Sequence, residues 1–228
     1  MRTSSMAYTT MLAIGRCTYV AGGSSLGRIV DIATIFAVTL VSMFTRTLQP
    51  PKRSFFLFGP RGTGKSTWLR EHFPDALTIN LLTHENIVRF ERDPSLLRGL
   101  VTARPTNDWV VLDEVQRAPK LLDEVHYLME EEGHTRFALT GSSARSLRRG
   151  GVNLLAGRAV IRKLLPLTTA EMDYSTPIDR LLRFGSLPIS VLAESDEDRE
   201  DFLRAYVTTY LSEEIKAEGL VRNLGNFS

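Results

Sequence analysis

Ser54-Phe55-Phe56-Leu57-Phe58-Gly59-Pro60-Arg61-Gly62-Thr63-Gly64-Lys65-Ser66 decides how this chain folds. Phe55 to Phe58 is a continuous apolar run rather than an alternating one, the pattern of a strand buried on both faces. The eight residues that follow match GxxxxGK(S/T) at every fixed position. Glycines let such a loop wrap an anion with successive backbone N–H groups turned inward. A helix opening directly after the loop turns its positive N-terminal end toward the same anion. Lys65 supplies a compact point charge for the β- and γ-phosphates, and the Ser66 hydroxyl is a magnesium ligand. Gly59, Pro60, Arg61, Gly62, Thr63, Gly64, Lys65 and Ser66 are therefore the candidate cradle for a nucleotide triphosphate, with Thr67 near its adenosine side. A strand before and a helix after are the context that separates such a cradle from an ordinary glycine-rich turn.

Downstream, Trp109-Val110-Val111-Leu112 is a second buried-strand run, and it ends in two acids, Asp113 and Glu114. The carboxyl end of a parallel strand is where open α/β sheets bind ligands. Asp113 is expected to hold magnesium through water, and Glu114 to orient and polarise the water that attacks the γ-phosphate. A water-activating acid directly after the magnesium acid marks phosphate-loop proteins that hydrolyse with a glutamate. Such proteins usually insert an extra strand between cradle and acids, and Phe137-Ala138-Leu139-Thr140 then fits the place beside the cradle strand. Thr140 is the first choice, and Ser142 the second, for a hydroxyl bonded to the γ-phosphate or the attacking water.

No acid occurs between Gly133 and Ala170, while Arg136, Arg145, Arg148, Arg149, Arg158, Arg162 and Lys163 do. Arg145 and Arg158 are the best candidates for an arginine finger reaching a neighbouring subunit's nucleotide. A DNA-phosphate face and a plain solvated basic face are the other readings. No aromatic residue interleaves with the basic ones after Phe137, which argues against a platform for stacked single-stranded bases.

The remaining pattern alternates strands with helices. Strands are expected at Ala76–Leu82 and Ala159–Leu165, and helices at Thr67–His72, Glu85–Leu100 (broken at Pro94), Leu121–Glu132 and Ile178–Phe184. Gly185–Pro188 reads as a loop. Asp198–Ala217 reads as one long amphipathic helix with Phe202, Tyr206, Tyr210 and Leu211 on one side. Alternation of this kind predicts a parallel sheet covered by helices on both faces.

The composition agrees with a folded α/β protein: 228 residues, 43% apolar and 24% charged, which excludes disordered and collagen-like classes. Cys17 is the single cysteine, so neither an internal disulfide nor a cysteine zinc site can form, which fits a reducing cytosol. His72, His84, His126 and His134 show no metal-ligand spacing. Three of the 28 basic residues (Arg2, Arg16, Arg28) and one of the 26 acidic ones (Asp31) lie in residues 1–42, leaving a neutral body with no charge argument for nucleic acid. Residues 1–42 look unlike the rest. Their apolar run, Ile29–Phe44, is interrupted by Asp31 and falls short of the ~20 residues a membrane helix needs. We expect Met43 to be the natural start and residues 1–42 an over-long reading of the gene.

With these motifs in view, the chain resembles a family of prokaryotic AAA-type ATPases. The resemblance rests on the cradle, on Leu112-Asp113-Glu114-Val115-Gln116-Arg117-Ala118-Pro119, and on Leu139-Thr140-Gly141-Ser142-Ser143-Ala144-Arg145. Leu155-Ala156-Gly157-Arg158 and Leu165-Pro166-Leu167 add to it, so that it covers about residues 43–228. Glu114-Val115-Gln116 followed by a proline is more family-specific than the cradle and the strand acids alone. The resemblance implies a three-layer αβα P-loop fold whose mainly parallel five-stranded sheet has order 5-1-4-3-2, with a partial helical segment after it. It also implies ATP and Mg2+ as ligands, a cytoplasmic protein, a possible homo-oligomer, and DNA or protein as candidate partners. The domains expected are an atypical extension (1–42), an ATPase domain (43–170) and the helical start of a truncated C-terminal region (171–228). Similar proteins continue into a winged-helix-like segment and a nuclease-related domain, so a fragment or a natural truncation is expected. The function expected is Mg-dependent ATP hydrolysis coupled to conformational change. The alternative is a nucleotide-dependent binding module with little turnover. A small-molecule kinase would lack the water-orienting glutamate, so Glu114 counts against it.

Overall fold

The structure, a computed structural model, describes residues 44–104, 108–131, 135–142, 144, 147, 155 and 157–211. Five strands form one sheet: β1 (Phe55–Phe58), β2 (Leu77–Asn80), β3 (Trp109–Asp113), β4 (Arg136–Gly141) and β5 (Val160–Lys163). Their order across the sheet is β2-β3-β4-β1-β5, and every pairing is parallel. This is the expected 5-1-4-3-2 arrangement read from the other edge, in an α/β fold.

The apolar run of β1 is divided between two cores. Phe55 and Leu57 face α1 (Lys65–His72), packing with Trp68, Leu69, Phe73, Val111, Ala138 and Leu164. Phe56 and Phe58 face the other way, toward Leu81, Phe90, Leu97, Leu112, Leu121, Val125 and Leu139. That second core is closed by α2 (His84–Arg92), α3 (Leu96–Thr102) and α4 (Leu121–Glu131). A strand buried on both sides has no polar face, which is why β1 carries four apolar residues in a row.

Local chemistry explains the boundaries. Thr83 caps α2 by accepting from Asn86 N at 3.4 Å. Pro94 separates α2 from α3 as expected, since its ring cannot continue the ladder of bonds from the preceding turn. Arg98 of α3 donates to both carboxylate oxygens of Glu124 on α4 and lies over the Tyr127 ring.

C-terminal to the sheet come α5 (Ile178–Phe184), α6 (Pro188–Leu192) and α7 (Asp196–Ala205). Pro188, expected in a loop, instead opens α6, where its missing N–H costs nothing. The expected long helix starts earlier than Asp198, because Ser195 accepts from Asp198 N at 3.0 Å and sets the cap at 195. It passes into a π-helical turn at Tyr206–Leu211. The expected continuation to Ala217, the extension 1–42 and residues 212–228 lie outside the described residues.

Candidate nucleotide-binding site

The cradle joins β1 to α1 at the carboxyl end of the sheet. Gly62 (φ 81°) and Gly64 (φ 90°) both adopt the left-handed backbone that turns the loop back on itself. Gly59 is required for a different reason: a Cβ there would stand 2.0 Å from the Leu164 carbonyl oxygen at the end of β5. The Thr63 hydroxyl donates to Pro60 O at 2.9 Å, bracing the loop from within. Lys65 is 6% exposed, and its ammonium donates to Gly59 O at 2.7 Å and Pro60 O at 3.1 Å. The ammonium thus lies against the carbonyls of the first two residues of the loop. Thr67, in the first turn of α1, accepts from Arg70.

Three strand ends converge on this loop. Ser66 Oγ donates to Asp113 Oδ2 at 2.7 Å, linking α1 to the end of β3. Thr140, fully buried at the end of β4, donates its hydroxyl proton to Asp113 Oδ1 and accepts from Glu114 N at 2.8 Å. The register that pairs Leu112 with Leu139 makes this possible, because it places Thr140 beside Asp113. Glu114 leaves the strand in the left-handed region (φ 63°, ψ 48°), uncommon for a residue with a side chain. Its carboxylate accepts from the Gln116 side-chain amide.

Sequence reasoning expected Ser66, Asp113, Glu114 and Thr140 around the cradle, and the structure brings these four together with Lys65. It gives Thr140 a more specific place, bridging the two acids' backbone and side chain. Arg158 is not brought to the cradle. It precedes β5, whose first residue pairs with Phe55 at the amino end of β1, and its guanidinium bonds Glu130 of α4. A finger role for Arg158 would act on a neighbouring copy and would first exchange Glu130 for a phosphate. Arg145 and Ser143 lie outside the described residues.

Two contacts to the loop were missed by sequence reasoning. Arg46 donates to Thr63 O at 3.5 Å and to Leu165 O, and its Nε stands 3.2 Å from Glu171 Oε1, with both side chains nearly buried. Burial alone would push the Glu171 carboxyl up; N–H groups of Thr168 and Thr47, the Arg46 charge and the Thr47 hydroxyl outweigh it and hold the carboxyl below its ordinary range. The second contact comes from the π-helical turn: Tyr210 OH accepts from Arg61 N at 3.0 Å, and Tyr206 OH donates to Arg61 O at 3.1 Å. The spacing of the two tyrosines was visible as one helical face, but nothing local said what it covers.

A hydroxyl and a carboxylate 2.7 Å apart at the mouth of a phosphate loop are a hard-oxygen donor set that fits Mg2+, a metal that keeps waters and substrate oxygens as its other ligands. Among the described residues no cluster of three or more His, Cys, Asp or Glu could hold a metal by itself.

A family model described as an AAA domain matches residues 51–173. Two curated relatives, the uncharacterized proteins Mb2031c of Mycobacterium bovis and Rv2008c of Mycobacterium tuberculosis, are each 33% identical over 171 residues. The match covers 72% of this chain but only 36% of the relatives' own length. Among solved structures, the Thermotoga maritima RuvB Holliday junction branch migration motor aligns with a TM-score of 0.37 and 19% identity, covering 54% of this chain and 41% of that one. C. elegans PCH-2 aligns with a TM-score of 0.37 and 11% identity, covering 78% and 62%. Those two likenesses are too weak to carry function. The match across residues 51–173, together with one-third identity over most of the chain, shows that this protein belongs to the AAA-type family of P-loop ATPases.

Proposed function

We propose that this chain binds ATP with Mg2+ in the Gly59–Ser66 cradle and hydrolyses it, with Glu114 orienting the attacking water. The observation that supports the reading is the Ser66–Asp113 contact at 2.7 Å, a hydroxyl and a carboxylate side by side at the loop that would hold the phosphates. Backbone N–H groups of the loop and the N-terminal end of α1 face a bound triphosphate. Lys65 gives up its bonds to Gly59 and Pro60 carbonyls and turns to the β- and γ-phosphates. Bound Mg2+ would neutralise the charge developing on the phosphate oxygens. Ser66 and Asp113 would hold the metal, Thr140 holds Asp113 and the Glu114 backbone in register, and Glu114 would orient the water.

The rest of the reading follows from the family. It comprises a cytoplasmic ATPase body over residues 43–170, a helical region from 171, assembly into a homo-oligomer, and a DNA or protein partner for the conformational change. No helix among the described residues is long and apolar enough to cross a membrane.

Phosphate release by wild type and by Glu114→Gln is the test. Turnover in the first and its near-abolition in the second are expected. Equal rates would remove Glu114 from the chemistry, and binding without turnover in the wild type would favour a nucleotide-dependent binding module. Lys65→Ala is expected to weaken ATP binding by about ten-fold or more, since it removes a charge-assisted bond to phosphate. Undiminished affinity, measured by titration calorimetry, would sink the cradle assignment.

A further inference from the structure

Gln116 lies in the short 3₁₀ turn Val115–Arg117 that follows the two acids, and the chemistry above gives it no task. The left-handed backbone of Glu114 bends the chain so that Val115 is fully buried, and the Gln116 side chain folds back over Glu114. Its amide donates through Nε2 to Glu114 Oε2. A carboxylate can only accept, so the amide must present its NH2 group there, and its carbonyl oxygen is left pointing away. That oxygen, Gln116 Oε1, is buried and has no hydrogen-bond partner among the described residues. It sits against Gly141 at the end of β4: a Cβ built there would stand 2.9 Å from Oε1 and 3.3 Å from the Phe58 ring. The amide oxygen therefore lies in the space beside Gly141 that a side chain there would share, walled on one side by a core phenylalanine.

An amide that forgoes its acceptor bond in a buried place lowers stability. A strained backbone at Glu114 does the same. Both make sense if the arrangement serves the orientation of one carboxylate. We propose that Gln116 is a positioning residue for Glu114, pinning one carboxylate oxygen so that the other is presented to the attacking water. The inference rests on the hydrolysis reading above. It adds a residue that acts through Glu114 and does not itself touch water or nucleotide.

Gln116→Leu keeps the side chain's bulk and removes the donor. In single-turnover assays it should lower the rate of phosphate release by about ten- to a hundred-fold, the scale of a misplaced catalytic group. Affinity for a non-hydrolysable Mg·ATP analogue should change by less than about two-fold, because only the chemical step is affected. In a Glu114→Gln background the same change should cause no further loss, since the group it positions is gone. Gln116→Asn keeps the amide but is one methylene too short to reach Glu114, and should reproduce the defect, so it decides the matter if the leucine variant does not fold. Either variant turning over within about two-fold of wild type, or a defect that adds in full to that of Glu114→Gln, overturns the inference. A wild type that releases no phosphate overturns the hydrolysis reading and this inference together. A wild type that does so and depends on Glu114 while both Gln116 variants stay active overturns this inference alone.

Discussion

At the scale of single residues, the site depends on hydroxyls as much as on charges. Thr140 donates to Asp113 and accepts from Glu114 N while wholly excluded from solvent. Thr140→Val preserves shape and removes both bonds, leaving a backbone N–H without its partner. The expected cost is about 1–3 kcal/mol of stability, read from chemical denaturation, together with a slower hydrolysis step. Thr140→Ser keeps the hydroxyl and should retain most of both. If Val and Ser behave alike, the hydroxyl bridge contributes nothing. The residue type was legible in the sequence as a small polar group ending a strand. Its two partners were not, because they are chosen by the pairing of β3 with β4.

At the scale of elements, the cradle is a contact between two strands as well as a loop. Gly59 touches the end of β5 so closely that a single methyl group would overlap the Leu164 carbonyl. The Leu164 N–H in turn donates to Phe58 O at 2.8 Å, so the approach is part of the β1–β5 ladder. Gly59→Ala must therefore push β5 away or distort the loop. We expect a loss of about 1–3 kcal/mol, as for overpacked cores, seen as a lower Tm, and weakened nucleotide binding by the same variant. Wild-type stability and affinity in Gly59→Ala would show that the edge strand moves freely. The sequence motif names this glycine but gives a reason only in terms of anion wrapping. The close approach of β5 supplies a second reason that no spacing rule contains.

At the scale of the whole molecule, segments distant in sequence close around the loop. Glu171 accepts from Thr47 N at 2.8 Å, 124 residues away, and from Thr168 N at 3.0 Å, while pairing with Arg46. Breaking one side of a nearly buried pair leaves an uncompensated charge, so Glu171→Gln should destabilise the fold by about 3 kcal/mol. The pH dependence has a definite sign. The folded carboxyl is held below its unfolded value, so its ionised form adds stability that is complete above the unfolded value of about 4.3 and fades as pH falls below it. Wild type and Glu171→Gln should differ fully at neutral pH and converge in acid. A difference that stays constant from pH 7 to pH 3 would show that the charge is not the cause.

Read by itself, the sequence determined what is local. A four-residue apolar run, an eight-residue glycine-rich loop and a helix follow one another in the chain, and backbone sterics with helix polarity dictate their joint shape. The same holds for a strand ending in two acids, and for the break at Pro94. Tertiary structure alone decided what meets across the sheet: Thr140 on Asp113, Gln116 in the space left by Gly141, Arg46 with Glu171, and two tyrosines on the Arg61 peptide. The physical reason is that periodicity and propensity act over a few residues, whereas these contacts are selected by strand register and by which faces remain to be buried once the sheet has formed.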